Sequence, residues 1–172
     1  MERLEVRRRD EPILLKEAAF PGILSGLLAA AIMAVVWMLF ASRGGDLWRP
    51  MKLIAATVLG ESAIHSSGFQ PIPVLLGIAL HLLMGILMGV FFTWLGGYLT
   101  VGAATSWGLI FGLAIWVIMQ FGILPVINPW MAEFPPIPFA ISHALFGLSL
   151  GSYPIFLPEQ ERRVPQILRK AA

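Results

Sequence analysis

Four stretches of the chain are almost wholly apolar, and the polar residues and prolines collect between them. They run at about 20–41 (FPGILSGLLAAAIMAVVWMLFA), about 73–95, about 103–124 and about 138–157. A helix needs ~20 mostly apolar residues to cross the hydrocarbon core of a bilayer. Each stretch therefore predicts one transmembrane helix. Pro73, Pro125, Pro138 and Pro158 fall at the predicted ends, where proline is well tolerated. Pro21 fits the start of the first helix, and Pro154 kinks or shortens the fourth. The expected fold class is all-α, an integral membrane four-helix bundle forming a single domain.

The connections differ. The longest covers about 42–72, and within it MKLIAATVLGESAI (51–64) is mostly helix-forming. It predicts a short helix at the membrane interface. The connection at about 96–102 is short, so the second and third helices are expected to be antiparallel neighbours. The connection at 125–137 is rich in proline and therefore stiff. The first apolar stretch follows a charged segment, as a signal peptide would. Its core of about 22 residues exceeds the ~7–15 of a signal peptide, and LFASRGG offers no A-x-A site, so it reads as a retained span.

Composition agrees. The 172 residues are 58% hydrophobic and 13% charged, with a mean hydropathy of +0.80. Soluble domains carry about 25% charged residues. Between Leu53 and Leu157 only Glu61 and Glu133 are charged, too few for an aqueous surface. The chain has no cysteine, which excludes disulfides, thiolate metal sites and cysteine catalysis. Nine of the twelve basic residues lie in the tails 1–19 and 158–172, and three in the first connection. Four spans put both tails on one face, and the positive-inside rule makes that face cytoplasmic. The expected location is the bacterial cytoplasmic (inner) membrane. The six tryptophans lie mostly near span ends, as interfacial belts require.

Small residues recur every four positions. The first span carries Gly22, Gly26 and Ala30, and the third carries Gly108 and Gly112. The second carries Gly77, His81, Gly85 and Gly89, and the fourth carries His143, Gly147 and Gly151. Residues four apart share a helix face. Glycines there let helix backbones approach closely, which holds helices together in lipid. P-I-P precedes each histidine helix, at 71–73 and 136–138. The first two spans thus read as a hairpin that the last two repeat, related by an axis along the membrane normal.

His81 and His143 lie in these glycine rows, at similar depth, so they are expected to face protein. An ionisable residue inside a span is a candidate functional residue. Three roles are open. Each ring clips a neighbouring helix through a backbone carbonyl or through Ser25, Thr105, Ser106, Gln120, Ser142 or Ser149. Alternatively, the two rings share a haem b or a chlorophyll-like pigment, with the glycines making room for a flat macrocycle. Or they line an outward vestibule for protons or solutes with the outer-side polar cluster Glu61, His65 and Glu133. Two histidines without carboxylates make a poor zinc or di-iron site, so no metal is expected.

Nothing in the chain matches G-x-S-x-G, H-E-x-x-H or a phosphate loop. Glu61, Ser62 and His65 read as a polar helix end rather than a catalytic set. Nothing points to nucleic acid. The layout of GGDLWRPMKLIAATVLG, PVLLGIALHLLMG, WGLIFGLAIWVIMQFGILPVINPWM and ISHALFGLSLG resembles uncharacterised bacterial four-span inner-membrane proteins, and weakly the YagU-like group. The resemblance covers about 100 residues over the last three spans, and implies four spans without assigning any residue a role. The expected function is a non-enzymatic multi-pass protein, an accessory or assembly subunit of a larger complex. Its partners would be the lipid bilayer and other membrane subunits or a second copy. The alternatives are a haem- or pigment-binding protein and a small oligomeric channel or transporter.

Overall fold

The computed structural model describes residues 13–132 and 134–158. It is all-α, with no strand among the described residues. The helices are α1 (Leu15–Ser42), α2 (Arg49–Leu59), α3 (Pro71–Gly96), α4 (Val101–Ile118), α5 (Leu124–Ile127), α6 (Pro129–Ala132) and α7 (Pro136–Leu150). A single π-turn, Met119–Ile123, joins α4 to α5, and a 3-10 turn, Tyr153–Phe156, follows α7. Four segments are long and apolar enough to cross a membrane: α1, α3, α4 through α5, and α7 through its 3-10 turn. The end of the bundle where α1 begins and α7 finishes is the terminal end; the other is the loop end.

The first span starts five residues before the expected boundary, so Pro21 sits inside α1 rather than at its start. The first turn is held by Glu17, whose Oε2 accepts the Leu14 backbone N–H at 3.0 Å. The fourth span is shortened, as Pro154 suggested. The α-helix stops at Leu150, and the chain continues as the 3-10 turn containing Pro154.

Three pairs of spanning helices make close backbone contact: α1 with α3, α1 with α7, and α4 with α7. The fourth edge, between α3 and α4, is splayed. The short turn at 97–100 makes these two helices successive, yet they meet mainly through rings. Phe111 of α4 packs on Phe91 and Phe92 of α3, with centroids 6.2 Å and 5.1 Å apart. The α3 and α7 helices, which carry the histidines, sit diagonally with α1 against both.

Two glycine seams explain the tight pairs. In the first, Gly22 meets the backbone of Gly89 and Val90, and Gly26 meets that of Gly85 and Gly89. In the second, Gly108 meets the backbone of Gly147 and Gly151, and Gly112 meets that of His143 and Gly147. A Cβ at any of these positions would strike backbone, so no side chain larger than hydrogen fits without parting the helices. The seams are built alike: Gly26 stands to Gly85 as Gly108 stands to Gly147. Gly77 is different. It lies against the Met51 backbone and seats α2, not another span.

The interfacial helix is therefore docked on α3 rather than lying alone. Pro50, Met51, Lys52, Leu53, Ala55 and Ala56 of α2 are all buried. Lys52 is 0% exposed, with its ammonium held by the Asp46 carboxylate and the Ser66 carbonyl. The Asn128 amide donates to Leu53 O and Thr57 Oγ1, both at 2.8 Å. Its Oδ1 accepts the Met131 N–H at 3.1 Å. This one buried side chain ties the proline-rich connection to α2.

Candidate functional site

His81 lies on α3 and His143 on α7, about 15 Å and about 10 Å along their helices from the loop end at ~1.5 Å per residue. His81 Nε2 is 2.9 Å from Ala30 O on α1. A carbonyl can only accept, so Nε2 carries the proton and donates. This is a clip across the first seam, to a backbone carbonyl. His143 behaves differently. Its Nδ1 is 3.0 Å from Phe139 O in its own helix, so the neutral ring carries its proton on Nδ1 and leaves a lone pair on Nε2. The side chains that the sequence offered as partners do not reach either ring. Ser25, Thr105, Ser106, Ser142 and Ser149 each donate to a carbonyl of their own helix. The Gln120 amide donates to Ala132 O.

The two imidazoles sit on the diagonal helices α3 and α7, each bonded to a backbone carbonyl. The glycines beside them offer no space for a macrocycle: Gly85 abuts Gly26 and Ala30, and Gly147 abuts Gly108 and Gly112. His81 has its Nε2 committed to Ala30, so the two rings do not present a matched pair of Nε2 lone pairs. No group of three metal-ligating side chains occurs among the described residues. Glu61 and His65 are exposed on the loop-end surface, whereas His81 is half-buried and His143 buried. Glu133 lies outside the described residues.

The surroundings of His143 are aromatic. Phe139 meets its ring edge to face at 4.4 Å. Trp37 of α1 packs on Phe139 at 5.4 Å and on Phe134 at 5.1 Å. Trp37 is fully buried, so it belongs to the core and not to an interfacial belt. Trp116 and Trp130 pack against the same core cluster. Trp94 and Trp107 are exposed on the outer surface of the bundle.

Sequence reasoning missed several buried polar atoms toward the loop end. Trp37 Nε1, Trp116 Nε1 and Gln120 Oε1 are buried without a hydrogen-bond partner. Leaving such an atom unpaired costs about 1–3 kcal/mol, and most buried polar groups in proteins are paired. Trp116 and Gln120 are four residues apart on α4 and its π-turn, a spacing that was visible in the sequence. Nothing marked their partners as absent. At the terminal end, a groove of about 420 Å³ is lined by Lys16, Phe20, Phe156 and Leu157 among others, far from the histidines. There the Tyr153 hydroxyl donates to Gly97 O at 2.9 Å and pins the end of the fourth span to the turn after α3.

A search of curated proteins returned no match, and a search of solved structures returned none. A family model described as a family of unknown function, DUF6789, matches residues 17–163. That interval takes in both glycine seams, both histidines and the docked α2. The chain belongs to this uncharacterised family, DUF6789.

Proposed function

We propose that the protein is a non-enzymatic accessory or assembly subunit of a larger complex in the bacterial cytoplasmic membrane, with both termini in the cytoplasm. The observation that supports this best is the uneven closure of the bundle. The α1 helix is clasped on two sides, but α4 is held closely by α7 alone. Its outward surface carries Trp107, Ile110 and Val117, and the π-turn adds Phe121, all exposed. The two backbone-to-backbone seams leave no lumen along themselves, which suits a rigid body better than a conduit. The basic tails support the orientation. The YagU-like layout supports four spans and assigns no residue a role.

The absence of cysteine makes the test direct. Ile110→Cys on α4 and Leu28→Cys on α1 place one thiol each on an exposed surface. Cross-linking in native membranes should give a heavier adduct from Ile110→Cys and none from Leu28→Cys. Fixed co-purifying proteins in mild detergent should accompany it. No adduct from either variant, with a lone monomer after purification, would exclude the subunit reading. Ion flux from the protein alone in liposomes would favour the channel instead.

A further inference from the structure

The unpaired atoms at the loop end form a complementary set. Trp37 and Trp116 each present an indole N–H, which can only donate. Gln120 presents a carbonyl oxygen, which can only accept. Its orientation is fixed, because its NH₂ donates to Ala132 O at 2.8 Å and a flipped amide would set oxygen against oxygen. His143 adds the Nε2 lone pair left by its bond to Phe139. Trp37 is 0% exposed, Gln120 7% and His143 6%. Thr93 and Ser152 also hold unpaired hydroxyls, but a hydroxyl can rotate to find a partner. An indole or a fixed amide cannot.

Trp37 belongs to α1, Trp116 to α4, Gln120 to the π-turn and His143 to α7, and ring contacts join Trp37 to Phe139 and Phe139 to His143. Trp37 and Phe139 are core residues, and Trp116, Phe134 and Ala132 pack against the core. The Trp37 ring meets Phe134, two residues beyond the carbonyl that holds Gln120. Gln120 itself lies in the π-turn, a local widening of the helix that recurs at functional sites.

We propose that Trp37, Trp116, Gln120 and His143 form a binding site for a small oxygen ligand that both accepts and donates hydrogen bonds. Its lone pairs take the indole protons, and its O–H donates to Gln120 Oε1 or to His143 Nε2; water, with two O–H bonds, reaches both. Two sources carry this chemistry at such a depth. One is ordered water, which typically makes about three bonds to buried polar groups. The other is the ring oxygen of a lipid-soluble quinol, whose flat ring suits the aromatic walls and which enters from the bilayer.

The test uses the full chain, ¹⁵N-labelled, in mild detergent. Trp37→Phe and Trp116→Phe assign the two indole N–H signals. Water as ligand predicts cross-relaxation between these protons and the water resonance, at a rate above that of exposed Trp107. A quinol predicts that a short-chain quinol shifts both signals saturably, and that Gln120→Leu weakens its binding roughly tenfold, as loss of about one hydrogen bond would. If Gln120→Leu fails to fold, the Trp37→Phe protein gives the same comparison through the Trp116 signal. Indole signals that show neither water contact nor any response to the quinol would overturn the site.

Discussion

A single carbon decides whether two of these helices can touch. At Gly26 a Cβ would meet the Gly85 backbone, whereas at Gly102 it would meet nothing. Gly26→Val is therefore expected to destabilise the bundle by about 1–3 kcal/mol, as overpacking does. Gly102→Ala should be neutral or gain up to about 1 kcal/mol from helix propensity. Thermal unfolding in detergent checks both. His81→Ala should cost only about 0.6 kcal/mol, the average for an interhelical bond in a membrane. A larger loss would mean that the ring does more than clip Ala30. Glycine spacing was readable because small residues every four positions have one physical meaning in lipid. The partner of His81 was not, because a backbone carbonyl leaves no mark in a sequence. The same blindness hid the burial of Trp37, since hydropathy assigns an indole equally well to a core or an interface.

Among elements, the long helices were legible to within a few residues, and the docking of α2 was not. Apolar spans declare themselves by length alone. A short amphipathic helix could lie on lipid or on protein, and only the seat at Gly77 distinguishes the two. The polar anchors make that docking testable. Asp46→Asn leaves the fully buried Lys52 ammonium without its carboxylate, at a cost of about 3 kcal/mol or more. Lys52→Met removes the charge as well and should be far milder. Asn128→Leu should free the proline-rich connection from α2. Faster proteolysis near 60–70 in that variant, at unchanged helix content, is the expected signature. The π-turn was invisible in advance because it depends on where the last turns of α4 meet the core.

For the molecule as a whole, the repeated hairpin was visible and its asymmetry was not. Both seams follow from the same spacing, but the close α1–α7 contact has no equally close counterpart between α3 and α4. Such differences arise from side chains of the two halves meeting each other, which no single stretch records. Orientation belongs to this scale. A reporter enzyme that works only outside the cytoplasm should be silent when fused after Ala172 and active when inserted near Gly68. The reverse pattern would invert the protein.

The closure of α1 on α7 also sets a timetable for synthesis. The first hairpin can zip as soon as α3 leaves the ribosome, because its seam is complete within the first hundred residues. The other flank of α1, with Ala29, Met33 and Trp37, must wait for the last helix to arrive. A nascent chain stalled before α7 would hold Trp37 bare in the membrane, where an insertion chaperone or a membrane protease could recognise it as unfinished.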